Sequence, residues 1–517
     1  MIAKLKNHFT APGWYGAALV FVLGAVSALA MPPSNMWWLF FVTVPLFLFR
    51  FGTVTTLAAA FREGWLFGFG YFCVALHWIG YAFLVDAKTY LWMMPFAVGG
   101  LAAVMAVYWG LAALVAGFLR RSHVQPWLTF PLSIAIAEWL RGHLMTGFPW
   151  AAPGLAADGM GPVVQAAALV GMPGLTLLVL TWSAALVPFV LRGNLTDRLI
   201  ALVVIATLPL TFAWGWYVER NTVVTFVPGV MVRLVQPHIS QDDKWRADNA
   251  SMVFDRLVAA TVAASSSGEK ITHVIWPESA VSFLLDESAG AKDVLRRALG
   301  DGKILVTGAI RRARREPTSD HFTSVLVFDS AANVTGTYDK WRLVPGGEFL
   351  PFEWLLKPLG FQRLVSLPGG FAAGTGPQSL AIAGAGTAGI IICYEAVFPD
   401  HLLDNANRPT WIINVTNDGW FGMSTGPYQH LAQARMRAIE QGLPLARSAN
   451  TGISAMIDPL GRMQNSLALG KVGFVDAALP GPLPPPPYAR WGDFILLLLS
   501  LVSAFWQLVS RANCQNR

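Results

Sequence analysis

The chain has 517 residues, of which 54% are hydrophobic and 13% are charged, and its formal net charge is +7. A soluble domain carries about 25% charged residues, so this composition argues against an ordinary soluble protein and indicates membrane segments. The positive charges lie mostly in short loops between apolar runs, which is typical of membrane topology and not of a surface that binds nucleic acid.

Apolar runs long enough to cross a bilayer dominate the N-terminal part of the chain. A spanning helix needs about 20 mainly apolar residues. The runs are 14–31, 36–50, 64–85, 90–119, 125–140, 161–191, 198–217 and, near the C-terminus, 492–510. The first follows Lys4 and Lys6 as a signal peptide would, but it is long for one and further spans follow, so we expect it to be retained. The sequence thus predicts a polytopic bundle of about eight spans.

Lysine and arginine residues in the short loops predict the orientation. With the N-terminus inside, the short outer loops carry Lys88 and Arg141. The inner loops and the tail carry Lys4, Lys6, Arg50, Arg62, Arg120, Arg121, Arg192, Arg198, Arg511 and Arg517. This imbalance predicts that both termini lie inside and that the large polar region lies on the outer face.

The segment 141–160, "RGHLMTGFPWAAPGLAADGM", separates two of the predicted spans. Its glycine, proline and aromatic content argues against a continuous helix. It fits an outer-face arm, a re-entrant loop or an ordinary long loop equally well. At this boundary Glu138 and Arg141 would either pair with each other or contact a lipid head group.

The polar region alternates strand-like and helix-like runs, as in an α/β sandwich. The strand-like runs are "ITHVIWPE", "KILVTGAI", "TSVLVFDS", "GIIICYE" and "WIINVTND", and helical spacing occurs in "SMVFDRLVAATVAA" and "YQHLAQARMRAIEQGL". A stiff proline-rich linker, 480–488, follows. The predicted domains are therefore 1–217 with seven helices, 218–487, and 488–517 with the last helix and the tail.

Three strand ends carry residues that could do chemistry together: Glu278, Lys340 and Cys393. A cysteine attacks as its thiolate, a nearby carboxylate can take its proton, and a lysine can stabilise the thiolate or an oxyanion. Each residue by itself is weak evidence, because a core cysteine, a strand-ending glutamate and a solvated lysine are all common.

The other cysteines and the glycines suggest no cofactor. Cys73 lies in an apolar run and Cys514 in the tail, so a disulfide framework is not expected. The chain has no CxxC motif, no His/Cys cluster and no glycine-rich phosphate loop. We therefore expect neither a metal nor a cofactor.

The order Glu278, Lys340, Cys393 resembles that of the nitrilase (carbon–nitrogen hydrolase) superfamily. The local contexts are "WPES", "YDKWRLVPGGEFLP" and "ICYE". Combined with the apolar spans, nearly the whole chain resembles the apolipoprotein N-acyltransferase family. Residues 146–150, "TGFPW", are similar to a membrane-arm sequence of that family, and residues 414–461 to the segment that follows its cysteine.

The resemblance implies an αββα sandwich on the periplasmic face of a bacterial inner membrane, with both termini cytoplasmic. It implies a monomer that moves an acyl chain from a phospholipid, phosphatidylethanolamine, to the α-amino group of a diacylglyceryl apolipoprotein. Glu278 would be the base, Cys393 the nucleophile that carries a thioester, and Lys340 the oxyanion stabiliser.

The resemblance also assigns accessory positions. These are Glu348 near the lysine, Tyr394 and Glu395 beside the nucleophile, and Trp245 on a mobile loop. Trp420, with Phe421, would line a substrate groove or pack a turn. The sequence departs from the family pattern at 345–348, "PGGE", and at 236–238, "QPH", where we expect His238 to be structural. For His430 a capping or packing role is favoured over a role as a base.

Two other functional hypotheses remain open from the sequence. A membrane-tethered amidase or nitrilase would keep the triad but would not need so many helices. A catalytically silent lipid-binding scaffold would need none of Glu278, Lys340 and Cys393.

Overall fold

The computed structural model describes residues 13–85, 87–120, 125–191, 193–265, 268–300, 302–315, 318–359 and 370–502. The chain divides into two compact units, residues 1–222 with 485–517, and residues 223–484. In its described part the first unit is helical, and the second contains two β-sheets.

The α-helices of the first unit begin near the N-terminus, and the last of them follows the second unit in the sequence. They are Trp14–Ser27, Phe40–Phe51, Leu57–Ala75, Ala87–Tyr90, Met94–Arg120, Pro126–His143, Ala167–Ala184, Val187–Val190, Leu195–Asn221 and Pro487–Trp491. The segment 141–160 is not a continuous helix, as predicted: after His143 it forms 3₁₀ turns at Leu144–Thr146 and Pro153–Gly159.

Glycines let two of these helices touch backbone to backbone. A Cβ atom added at Gly24 would lie 1.9 Å from the Phe67 carbonyl oxygen, and one added at Gly70 would lie 1.9 Å from the Phe21 carbonyl oxygen. In a membrane the hydrophobic effect does not drive helices together, and small residues at their contacts stabilise the association by allowing close packing. Helices Trp14–Ser27 and Leu57–Ala75 are therefore packed as membrane helices are.

Within the described residues, three helical segments are long and apolar enough to span a membrane: Ala87–Arg120, Gly161–Val190 and Leu195–Asn221. The bent pair Leu57–Ala75 and His77–Leu84 would make a fourth. The predicted number of about eight is not confirmed among the described residues, where Trp14–Ala30 and Trp37–Phe51 are shorter apolar helices. The predicted span 492–510 extends beyond the described residues. The residues of the sequence analysis that lie outside the described ranges are Lys4, Lys6, Arg121, Arg192, Arg511, Cys514 and Arg517.

The charges at the predicted membrane boundary pair with each other. Arg141 Nε donates to Glu138 Oε1 over 2.9 Å, and Arg141 also bonds the Phe148 carbonyl oxygen. Trp109 Nε1 donates to the same Glu138 oxygen over 2.8 Å. The pairing expected as one of two alternatives is therefore the one observed.

The second unit contains two six-stranded sheets. The strands are β1 Phe226–Gln236, β2 His273–Trp276, β3 Ile304–Arg315, β4 Thr318–Phe328, β5 Val334–Asp339, β6 Ser379–Ile382, β7 Gly386–Ile392, β8 Trp411–Thr416, β9 Leu445–Ala449, β10 Ser454–Ile457, β11 Met463–Leu467 and β12 Gly473–Pro480. Their orders are β12-β1-β2-β3-β4-β5 and β11-β10-β9-β8-β7-β6. Strands β1, β2 and β3 run parallel at the centre of the first sheet, and β7, β8 and β9 do so in the second.

The sheets pack face to face, with helices on their outer faces. Alternate residues such as Val306 on β3 and Ile413 on β8 share one buried core between the sheets. Helices Ala250–Val262 and Ala289–Leu299 cover the outer face of the first sheet, and Gly426–Gln441 covers that of the second. Helix Gln241–Lys244 and the turn Glu353–Leu356 are short. The layers are αββα, as the resemblance implied.

Hydrogen bonds also cross directly between the two sheets. The Ser448 hydroxyl on β9 lies 2.9 Å from the Val235 carbonyl oxygen on β1 and 3.1 Å from the Ile275 carbonyl oxygen on β2. The Gln236 side chain accepts from Ser454 Oγ over 2.7 Å. Because buried polar groups need partners, these contacts fix how the two sheets lie against each other.

Candidate active site

Three strand ends bring the predicted triad into one buried cluster. Glu278 lies two residues beyond β2, Lys340 directly follows β5, and Cys393 directly follows β7. The side chains of all three are buried. Strands β2 and β5 belong to the first sheet and β7 to the second, so the site is assembled from both layers of the sandwich.

The Lys340 ammonium joins two carboxylates. Its Nζ lies 2.9 Å from Glu348 Oε1 and 3.2 Å from Glu278 Oε1. The second Glu348 oxygen accepts the Val344 N–H over 2.8 Å, which fixes the loop after β5. Burial by itself lowers the pKa of Lys340, but Glu348 and then Glu278 outweigh it and the net shift of that pKa is upward. Lys340 is therefore a permanent cation.

A glycine on the neighbouring strand sets the position of Glu278. A Cβ atom added at Gly308 on β3 would lie 2.5 Å from Glu278 Cα, and the Ala280 N–H donates to the Gly308 carbonyl oxygen over 2.9 Å. Ser279, the next residue, has a φ of 44°. The backbone of β3 thus supports the turn that carries the carboxylate, and only glycine permits this approach.

Cys393 occupies a strained turn. Its φ is 46°, a left-handed value that few non-glycine residues adopt and that tends to occur at functional sites. Glu395 Oε2 accepts the preceding Ile392 N–H over 2.7 Å, and His430 Nε2 lies 2.9 Å from the Cys393 carbonyl oxygen. Side chains on both sides of the residue therefore hold the turn.

The Cys393 thiol is not ionised at rest. Burial raises its pKa most, Glu278 and Asp418 raise it further, and Lys340 and a hydrogen bond from the Thr416 side chain lower it. The net shift of the pKa is upward. For this sulfur to act as a nucleophile a base would have to remove its proton, and Glu278 is the side chain that raises the pKa of the thiol most.

Glu395 supports the turn through neutral donors. Its carboxylate accepts the Tyr338 hydroxyl over 2.9 Å and the Trp341 N–H over 2.9 Å. Burial raises the pKa of Glu395, hydrogen bonds lower it in part, and the result is about 7. Tyr394 is buried with its ring perpendicular to that of Phe398.

A second buried cluster lies next to the cysteine. Asp418 Oδ1 is 2.8 Å from His430 Nδ1, and Asp418 Oδ2 accepts from Arg447 Nη2 over 2.8 Å. Burial raises the pKa of Asp418, but Arg447 and then His430 lower it to about 2. His430 lies between the Asp418 carboxylate and the Cys393 carbonyl oxygen, and Arg447 Nη2 is also 3.2 Å from its Nδ1. His430 thus links Asp418 to the Cys393 carbonyl oxygen, and the capping or packing role favoured from the sequence stays a prediction.

The same side chains have the composition of a metal site but are already occupied. The ligand atoms of Cys393, Asp418 and His430 all lie within 4.8 Å of one another. However, both ring nitrogens of His430 and both carboxylate oxygens of Asp418 are in hydrogen bonds. A metal ion would have to displace Arg447, so the donor set fits a hydrogen-bonded support better than a metal centre.

The two predicted tryptophans lie outside this network. Trp245 is 41% exposed and follows the short helix Gln241–Lys244. Trp420 is half-buried in the turn Asp418–Phe421 after β8. Within the described residues neither indole N–H bonds the triad. His238, assigned a structural role, has a φ of 49° and donates its N–H to the Asn450 carbonyl oxygen.

Sequence reasoning missed several residues of the site. Lys244, Thr416, Asp418, Arg447 and Gly308 were not singled out. The one available signal was position, because Thr416 and Asp418 lie at the end of the predicted strand "WIINVTND", as the triad residues do on theirs.

Comparison with known proteins covers both units. Residues 23–185 match the family described as the apolipoprotein N-acyltransferase N-terminal domain, and residues 231–480 match the carbon-nitrogen hydrolase family. An apolipoprotein N-acyltransferase from Rhodopseudomonas palustris is 40% identical over 507 residues, which are 95% of this chain and 94% of the relative.

Two further relatives extend over similar lengths. Proteins of the same name from Bradyrhizobium diazoefficiens and Brucella melitensis are 42% and 39% identical. The first alignment covers 96% of each chain and the second covers 98% of each. Identity at this level over both units shows that the chain belongs to the apolipoprotein N-acyltransferase family.

Proposed function

We propose that this enzyme transfers an acyl chain from a membrane phospholipid, through a thioester on Cys393, to the α-amino group of the diacylglyceryl-cysteine of apolipoproteins. The observation that carries the proposal is the buried Cys393 on its strained turn beside the Glu278–Lys340–Glu348 cluster, in a chain of this family. Phosphatidylethanolamine is the proposed donor.

In the first half-reaction Glu278 takes the proton of the Cys393 thiol. The sulfur forms a bond to the ester carbonyl carbon, and the carbonyl electron pair moves to the oxygen, where Lys340 stabilises the charge. The intermediate collapses, the carbon–oxygen bond to the glycerol breaks, and the lysophospholipid oxygen takes the proton back from Glu278. A thioester on Cys393 remains.

In the second half-reaction the α-amino nitrogen of the lipoprotein attacks the thioester carbon. Glu278 accepts a proton from that nitrogen, the carbon–sulfur bond breaks, and the sulfur recovers the proton from Glu278. The products are an amide on the lipoprotein and free enzyme. Thioesters react readily with amines, so no cofactor is required in this scheme.

The proposed surroundings follow the same assignment. The catalytic unit, 218–487, lies on the periplasmic face of the inner membrane, with helical segments 1–217 and 488–517 making about eight spans and both termini cytoplasmic. Trp245 and Trp420 handle substrate, and the enzyme acts as a monomer. In spheroplasts of a strain carrying Lys270→Cys, a membrane-impermeant maleimide should label this exposed position without lysis, and labelling only after lysis would overturn the orientation.

The test of the reaction is intact-mass analysis of the purified full-length protein incubated with phosphatidylethanolamine. We expect a hydroxylamine-sensitive acyl adduct on the wild type and on Cys73→Ala, the matched control at the other described cysteine. Cys393→Ala should carry none. Addition of a diacylglyceryl-cysteine peptide should discharge the adduct and form an amide.

Two outcomes would contradict the proposal. Absence of an adduct on folded wild type would remove the phospholipid donor, and a small amide that acylates Cys393 in its place would support the tethered amidase. Full biological activity in cells whose only copy of the protein carries Cys393→Ala would support the silent scaffold. The amidase is not favoured, since relatives named as acyltransferases match across the helical unit as well.

A further inference from the structure

A second lysine is buried close to the proposed triad. Lys244 ends the short helix Gln241–Lys244, immediately before Trp245, and is 2% exposed. Its Nζ donates to the backbone carbonyl oxygen of Glu278 over 3.2 Å. Lysine is almost never fully buried unless it is paired. Among the described residues no carboxylate oxygen lies within 4.0 Å of Nζ, so the ammonium has three N–H groups and uses one of them on a neutral acceptor.

The charges of the site leave a role for this cation. Lys340 is already shared between Glu348 at 2.9 Å and Glu278 at 3.2 Å. When both carboxylates are ionised, the cluster around Lys340 carries one negative charge in excess. Transfer of the Cys393 proton to Glu278 moves that charge to the sulfur without removing it. A buried net charge is costly unless it is compensated, and Lys244 supplies the compensating positive charge.

A neighbouring side chain on the same helix is also unsatisfied. The Gln241 amide is buried, and within the described part of the chain neither its nitrogen nor its oxygen has a hydrogen-bond partner. Its nitrogen would lie 2.8 Å from a Cβ atom built at Gly419, so Gln241 lies along the turn after β8. Buried polar atoms are nearly always paired, so this amide has hydrogen-bonding capacity left for a water molecule or another group that enters beside Lys244.

We propose that Lys244 is a second catalytic cation, whose unused N–H groups stabilise the negative charge that develops on the Cys393 sulfur and then on the ester carbonyl oxygen. The inference rests on the acyl transfer proposed above and adds one residue to it. Lys340 holds Glu278 in place, and Lys244 balances the negative charge that remains on the sulfur when Glu278 takes the thiol proton.

The surroundings of Lys244 make its charge depend on pH. The titratable groups that face it are Glu278, after β2, and Cys393, after β7, while Asp243 on its own helix bonds Ser240 and Asn249. Burial lowers the pKa of Lys244 to about 8, although Glu278 and Cys393 act in the opposite direction. The ammonium is thus present at pH 7 and is lost as pH rises through about 8.

The experiment measures acyl-enzyme formation by the full-length protein in micelles containing phosphatidylethanolamine, in a single turnover, from pH 6 to about 10. Wild type should slow above about pH 8. Lys244→Gln should be slower by about 100-fold at pH 7 and lack that decline, since one stabilising donor is lost. Lys244→Arg should keep most of the rate and show no decline, because arginine does not titrate in this range. Lys270→Gln, at an exposed position three residues before β2, is the matched control.

A second readout separates this inference from the proposed function. Alkylation of Cys393 by iodoacetamide at pH 7 needs a thiolate but no phospholipid, and Lys244→Gln should slow it while Lys244→Arg should not. If wild type forms no acyl adduct but alkylation depends on Lys244 in this way, the donor is wrong and the role of Lys244 stands. A Lys244→Gln rate within twofold of wild type in both assays would overturn it. So would an equal loss at every pH with the decline above pH 8 preserved, because that is the behaviour of a merely structural residue.

Discussion

Glu395 and Asp418 are buried carboxylates on two sides of the chemistry, one in the turn that carries Cys393 and one in the turn after β8. Glu395 receives backbone N–H groups and a tyrosine hydroxyl, and its pKa is raised to about 7. Asp418 receives Arg447 and His430, and its pKa is lowered to about 2. Both accept several hydrogen bonds, but only one has a cation in direct contact.

The difference shows which effect decides the charge state of a buried acid. Neutral hydrogen bonds reduce the cost of burying a carboxylate without removing it, whereas an adjacent guanidinium reverses the sign of the pKa shift. The region around Asp418 is therefore ionised at every physiological pH. The region around Glu395, which holds the nucleophile turn, changes its charge near neutrality.

The largest expected effect comes from removing Arg447, the cation that makes the pKa of Asp418 differ from that of Glu395. Arg447→Met keeps much of the side-chain volume but leaves Asp418 buried without its guanidinium, and breaking such a pair costs about 3–5 kcal/mol. For a unit of this size we expect the melting temperature of the full-length protein in detergent to fall by about 5–10 °C. Thermal melting followed by tryptophan fluorescence measures this.

The control for that change is an exposed ion pair on the same unit. Arg296 lies 3.0 Å from Asp293, and their side chains are 57% and 60% exposed. Arg296→Met should shift melting by no more than about 2 °C, because exposed pairs contribute about 0–1 kcal/mol. Equal shifts for both variants would show that Arg447 does not stabilise Asp418 as described.

An effect of intermediate size is expected in the pH dependence of the folding stability. The folded-state pKa of Glu395, about 7, lies above its ordinary value of 4.5. The folded state therefore binds this proton more tightly, and the associated stability, about 3 kcal/mol, is fully present below pH 4.5 and is lost as pH rises through 7. For Asp418 the sign is opposite: its contribution is present above pH 3.8 and is lost as pH falls towards about 2.

Glu395→Gln removes the pH-dependent contribution of Glu395 to stability, since glutamine does not titrate. Between pH 5 and pH 8 the melting temperature of wild type should fall relative to that of Glu395→Gln. Glu353→Gln, at a carboxylate whose side chain is 45% exposed, should run parallel to wild type. A constant difference between wild type and Glu395→Gln across this range would refute the raised pKa.

The smallest expected effect concerns one hydrogen bond of the neutral set. Tyr338→Phe removes the hydroxyl that donates to Glu395, at a cost of about 1–2 kcal/mol in unfolding free energy. Its loss also raises the pKa of Glu395 further, so the pH-dependent fall in melting temperature should move to higher pH. An unchanged midpoint would mean that the hydroxyl does not contribute to that pKa.

Local sequence signals located the parts of the site that lie at strand ends. Runs rich in β-branched residues indicated β2, β7 and β8. Glu278 and Cys393 were singled out after the first two, whereas Asp418 after β8 was not. The membrane character of the chain was also evident from the sequence. The lengths of the spanning helices were not, because bends and interruptions divide the apolar runs into shorter helices such as Phe40–Phe51.

The supporting residues could not be found in this way. Arg447 reaches Asp418 across 29 positions in sequence, and Lys244 reaches Glu278 across 34. Such contacts exist only after strands from distant segments have paired, and a lysine before a tryptophan looks like any surface residue. Sequence reasoning therefore found the triad residues at their strand ends, and it missed residues whose importance depends on what they contact.

The hydrogen bonds of Ser448 to β1 and β2 have a consequence for the reaction. Glu278 and Lys340 are attached to one sheet and Cys393 to the other, so the proton-transfer distance is a measure of the thickness of the sandwich. Anything that lets the layers separate slightly lengthens that distance while each half of the site stays intact. In the proposed enzyme the turnover rate therefore depends on the distance between the two sheets. We expect this rate to fall when the core loosens, before the unit unfolds.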